Sequence, residues 1–168
     1  MQFRRFQPAL QASQPPAEKG QGLVELAIVL PVLIVVVIGL LDLGRAYFSV
    51  IIINNAAREG ARYLSSHRSD MGTVGTCDYF VGTVPFTYTG TYSQTKCAAL
   101  KEVQGTIVRL TASDVTATCT DNDDPSDGKC DTGFPYSFPA VVTVQTSFNP
   151  IFWPGIFTFS RTAKMLVP

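Results

Sequence analysis

The chain has 168 residues, enough for one modest domain and a membrane segment. Lys+Arg and Asp+Glu balance at 13 each, so no basic excess points to nucleic acid as a partner. Only 15% of residues are charged, against about 25% in ordinary soluble domains, and most of that deficit sits in one apolar block near the N-terminus.

Residues 1–20 read as a short disordered leader with Arg4, Arg5 and Lys19 against Glu18, punctuated by Gln, Pro and Ser. Residues 21–41 follow as an apolar run, GLVELAIVLPVLIVVVIGLL from Gly22 onward, whose only charge is Glu25. About 20 apolar residues span a ~30 Å hydrocarbon core as a helix. The basic leader places the N-terminus in the cytoplasm and residues 42–168 outside it. A cleaved secretory signal has a shorter apolar region, roughly 7–15 residues, ending in a small-x-small site. The run here is longer and ends in no such site, which favours a permanent anchor. Pro31 and Gly39 lie inside it, and Pro31 removes one helical hydrogen bond.

The helical pattern continues past the apolar run. Leu43, Ala46, Tyr47, Val50, Ala57, Ala61 and Leu64 recur at helical spacing as an apolar stripe, with Asp42, Arg45, Ser49, Glu59 and Arg62 largely opposite. One helix from about Leu23 to Ser65 is expected, with Glu59 and Arg62 paired on its exposed face. Ala56, Ala57, Gly60 and Ala61 are small residues suited to close packing, within the subunit rather than between subunits. Residues 66–93 are rich in Gly, Thr, Ser and aromatics. They read as a loop-rich insertion with one short strand near 79–84.

A second amphipathic helix is expected over 94–112, its apolar face formed by Leu100, Val103, Ile107 and Leu110 and weakened at Gly105 by about 1 kcal/mol. Three strand-like runs follow at 115–119, 140–147 and 157–166. In the middle one Val142, Val144 and Thr146 alternate with Val141, Thr143 and Gln145. The last two runs are joined by an apolar turn containing Phe148, Ile151, Phe152, Trp153 and Phe157. The fold class is therefore α+β: a long N-terminal helix, a second helix and a small antiparallel sheet of about three strands.

Cys77, Cys97, Cys119 and Cys130 all lie after the apolar run and form no C-x-x-C pair. With His67 the only histidine, zinc binding is disfavoured, and two disulfides in an oxidising compartment explain the even number. Of the three possible pairings, Cys77–Cys97 and Cys119–Cys130 are preferred because each closes a short loop. The acidic stretch from Asp121 to Asp127 lacks the EF-hand spacing and reads as a solvated turn rather than a calcium site. No metal or cofactor is expected. An enzyme is not expected either, since no phosphate loop occurs and a Ser-His-Asp triad would depend on His67 with no surrounding signature.

The informative stretch is Lys19-Gly20-Gln21-Gly22-Leu23-Val24-Glu25. Cutting after Gly20 would create an α-amino group at Gln21 and make Glu25 the fifth residue. A carboxylate inside a membrane segment costs a few kcal/mol at the bilayer centre, less near an interface. Two readings follow: Glu25 neutralises the N-terminal ammonium of a neighbouring helix as a register device, or it reaches the headgroup region of its own anchor.

Gly, four residues, Glu and an apolar helix together resemble the processing site of type IV prepilins. The longer run, with Glu25, Leu30-Pro31, Asp42-x-Gly44-Arg45 and Ala56-Ala57-Arg58-Glu59-Gly60-Ala61-Arg62-Tyr63, resembles the TadE/TadG-type family of tight-adherence (Flp) pilus assembly proteins. The strands VVTVQTSFNP and FTFSRTAKMLV resemble that family's closing strands more loosely. The resemblance implies a pseudopilin-like minor component in the bacterial inner membrane, with its C-terminal domain periplasmic or carried into the pilus. It also implies processing between Gly20 and Gln21 by a prepilin peptidase, other pilin-like subunits and the tight-adherence platform as partners, and roles in pilus biogenesis, adhesion and biofilm formation. The competing expectation is a single-pass envelope protein or adhesin that is neither processed nor polymerised.

Overall fold

The computed structural model describes residues 20–67, 73–119, 138–151 and 154–167. The chain divides into two compact units, Met1–Ile38 and Gly39–Pro168. In the first, the described residues are the start of helix α1, which runs unbroken from Gln21 to Ser66 with Pro31 inside it. Nearly every side chain from Gln21 to Leu41 is exposed. Apolar residues surround this part of the helix on all sides, so no single face can be buried against a core.

In the second unit, α1 changes character. Ile52, Ile53, Ala56, Ala57, Gly60, Ala61 and Leu64 are buried at helical spacing. They pack with helix α2 (Ser93–Val103) and with a sheet in the order β3 (Val115–Cys119), β4 (Phe138–Phe148), β5 (Phe157–Val167). Both strand pairs are antiparallel, with Val142 opposite Ala117 on one side and Ala163 on the other. Ala140, Val142, Val144, Thr146 and Phe148 point into the core, and Val141, Thr143 and Gln145 alternate with them. This is the half-buried pattern read from the sequence. On the outer face the Thr143 and Thr162 hydroxyls meet at 2.8 Å, a cross-strand pair.

Two expectations are corrected. The second helix ends at Val103, not at Ala112. Gln104 leaves helical backbone at ψ 136°, and Gly105 takes φ +77°, open to glycine and costly for other residues. Gly105 stops this helix rather than weakening it. Val108 and Leu110 remain buried in the extended segment that follows, while Ile107 is exposed.

Residues 66–93 are not mainly loop. They contain a two-stranded antiparallel hairpin, β1 (Val74–Val81) with β2 (Val84–Thr91). The two-residue turn is Gly82-Thr83, in which only Gly82 has positive φ, at 65°. Tyr79 and Cys77 face inward from β1. Tyr79 accepts the Ala112 N–H at 3.4 Å, and the Gln94 side chain donates to the Thr76 carbonyl at 2.8 Å. A disulfide joins Cys77 to Cys97 of α2, with the Cα atoms 6.2 Å apart. It clamps the hairpin to the helix.

Candidate functional site

Gly20 and Gln21, the expected processing pair, stand at the first turn of α1. The Gly20 carbonyl accepts the Val24 N–H at 3.3 Å, which closes that turn. Glu25 lies four residues beyond Gln21, one turn along the same helical face, and is exposed. Leu30 and Pro31 sit in the exposed stretch, with helix on both sides of Pro31.

The remaining motif residues belong to the second unit. Asp42 was expected on the outer face of α1, but it is buried. Its carboxylate accepts the backbone N–H of Ile151, in the β4–β5 connection, at 2.8 Å. Its other oxygen pairs with Arg45 at 3.2 Å. Ser49 is likewise buried and donates to the Arg45 carbonyl at 2.9 Å. Leu43 and Tyr47, expected in the buried stripe, are each 67% exposed. Between residues 42 and 49 the inward face is thus the polar one, with Asp42 accepting from loop backbone. The Arg45 guanidinium also lies over the Phe148 ring, 5.5 Å from its centroid. Gly44 has open space around it.

The Ala-Ala-Arg-Glu-Gly-Ala-Arg-Tyr run divides into two faces. Ala57, Gly60 and Ala61 are fully or nearly fully buried. A Cβ at Gly60 would meet Val142 at 3.0 Å and Ala99 at 3.2 Å, so this glycine lets α1 approach both β4 and α2. The small residues therefore serve packing inside the subunit, as expected. On the outer face Glu59 and Arg62 form a two-pronged pair at 2.8 and 2.6 Å. That contact lowers the Glu59 pKa, chiefly through the hydrogen bond from Arg62. Arg58 is exposed, and the Tyr63 ring stacks on His67 with centroids 4.1 Å apart.

Cys119 is disulfide-bonded as well. Its expected partner Cys130 and the acidic stretch 121–127 lie outside the described residues, as does the leader through Lys19. Among the described residues, no group of three or more His, Cys, Asp or Glu is placed to hold a metal.

The motif residues therefore mark two kinds of surface: a bare apolar helix opening on Gly20–Glu25, and its packed continuation. Residues 20–62 match the model of the TadE-like protein family. The match covers both surfaces and stops within the packed half of α1. A TadE-like segment suggests involvement in the tight-adherence pilus system. Neither the curated proteins nor the solved structures gave a match. Among the described residues, one helix, Gln21–Ser66, is long and apolar enough to cross a membrane, in keeping with a membrane-anchored TadE-like protein. Sequence reasoning placed the TadE-like motif but missed Ile151, whose contribution is a backbone N–H and leaves no residue-type signal.

Proposed function

We propose that the chain is a pseudopilin-like minor component of a tight-adherence pilus system, acting by assembly and not by catalysis. The observation that carries this reading is the TadE-like match over residues 20–62, with Gly20 at the helix start and Glu25 one turn in. The leader faces the cytoplasm, residues 21–41 cross the inner membrane, and the outer domain faces the periplasm or enters the pilus. Prepilin peptidase cuts between Gly20 and Gln21. The new ammonium of one subunit then meets Glu25 of another within the platform-driven assembly. Its contribution to adhesion and biofilm formation follows through the pilus.

The decisive measurement is the mass of the mature N-terminus in cells with and without prepilin peptidase. A chain beginning at Gln21 only when the peptidase is present is expected. A chain beginning at Met1 in both strains would favour an unprocessed envelope protein instead.

A further inference from the structure

Resting on the membrane-anchored reading above, we propose that the β4–β5 loop is a second membrane-contacting element, seated in the headgroup layer beside the emerging helix. Three observations carry it. First, the Asp42–Ile151 hydrogen bond of 2.8 Å fixes the loop at the level of the residue directly after the apolar run. The polar layer on each side of a bilayer is only about 5–8 Å deep beyond the ~30 Å hydrocarbon core. A loop held at Asp42 by one hydrogen bond cannot avoid that layer if the run ending at Leu41 spans the membrane.

Second, the loop is apolar on its outside. Ile151 is 69% exposed, Ile156 72% and Phe157 48%. Phe157, Phe148 and Pro150 meet Leu43 and Ala46 of α1 around a shallow hollow of about 300 Å³. Leu40 and Leu41, the last residues of the apolar run, are exposed as well. A patch of this kind in water would be an association site. At an acyl–headgroup boundary it is at home, and its irregular backbone stays within reach of interfacial water.

Third, the neighbouring cavity is cationic. Arg45 and Arg109 both line it, with Ser49 and Asn149. Asp42 offsets part of the Arg45 charge, but Arg45 keeps 44% of its side chain exposed. Guanidinium groups beside an apolar loop complement lipid phosphates lying just above the acyl chains. Together, an exposed apolar loop, a cavity lined by two arginines and the loop's bond to the residue directly after the apolar run select a bilayer surface as the occupant.

Trp153 is the only tryptophan in the chain and lies between Ile151 and Ile156 in sequence, so it reports on this loop alone. The full chain is reconstituted into vesicles of phosphatidylethanolamine and phosphatidylglycerol, with plain or brominated acyl chains, and checked by flotation. Expected are flotation with the vesicles, blue-shifted Trp153 emission, loss of fluorescence in the brominated vesicles and protection from aqueous iodide. Ile151→Glu/Ile156→Glu, at two exposed positions, is expected to float equally and to lose the bromine quenching. A chain that floats while Trp153 stays open to iodide overturns the proposal and leaves the anchor intact. Shielded Trp153 without bromine quenching also overturns it, and points to a protein partner on the patch. Failure to float overturns the anchor reading and the proposal with it.

Discussion

Asp42 shows how a single carboxylate can reverse the faces of a helix. Apolar periodicity around residues 43–50 points Leu43 and Tyr47 inward, yet both are exposed while Asp42 and Ser49 are buried. Hydrophobic patterning assumes that the outside is water. Here the polar residue turns inward to hold loop backbone, so the rule fails for a physical reason. Replacing Asp42 by Ala removes a hydrogen bond to a charged acceptor and is expected to cost about 1–3 kcal/mol. Asp42→Asn keeps an acceptor oxygen and should recover most of that loss. Thermal unfolding of the two full-length variants in detergent checks the ordering, and equal melting temperatures for both would refute it. Glu59 makes a smaller contribution. Its pKa is lowered in the folded chain, so the stabilisation from Arg62 is present above the ordinary Glu pKa and fades as pH falls through the lowered value. Glu59→Gln is therefore expected to lower the melting temperature slightly at pH 7, and the gap from wild type should narrow as pH falls past the ordinary Glu value and close beneath the lowered one.

Elements differ in how openly the sequence declares them. β4 was legible because alternate residues change polarity along its length, and the long helix because its apolar run has no competitor. The hairpin was not. Val84–Thr91 carries Pro85 and Gly90, and nearly all of its side chains lie on exposed or half-exposed positions, so no period-two contrast marks it. Its position comes instead from tertiary links: the Gly82 turn, Tyr79 beneath the Ala112 N–H, and the Cys77–Cys97 bond. The end of α2 was hidden for a related reason. Val108 and Leu110 stay buried after the helix stops, so the apolar spacing runs on past the true boundary. The disulfide carries the next prediction. A bond closing a sequence separation of 20 residues contributes about 3 kcal/mol by restricting the unfolded chain. Cys77→Ala/Cys97→Ala should lose stability of that order. The loss should appear first as faster amide exchange in residues 74–91, with β4 still protected. Uniform loss of protection across the hairpin and the β3–β4–β5 sheet would show that the hairpin does not open separately.

At the scale of the whole molecule, one helix carries two kinds of surface. From Leu23 to Leu41 its Leu, Ile and Val side chains are mostly exposed. At about 1.5–3 kcal/mol for each, leaving them in water would cost tens of kcal/mol, more than the ~5–15 kcal/mol that stabilises a typical fold. Lipid or neighbouring helices must cover them, and Glu25 cannot reverse that balance at a cost of a few kcal/mol. The same arithmetic separates insertion from assembly. Glu25→Ala removes a cost of insertion, so the variant should enter the membrane at least as completely as wild type. What it loses is the one carboxylate in the apolar run, the group that would fix the register of a neighbour's Gln21 ammonium in a low-dielectric bundle. The expected result is full membrane extraction behaviour and a normal mature mass, with co-purification of pilin-like partners and pilus formation reduced. Glu25→Asp, with its shorter reach, should fall between the two. Wild-type assembly by the Ala variant would remove charge pairing from the mechanism and leave Glu25 as a headgroup-facing residue of a simple anchor.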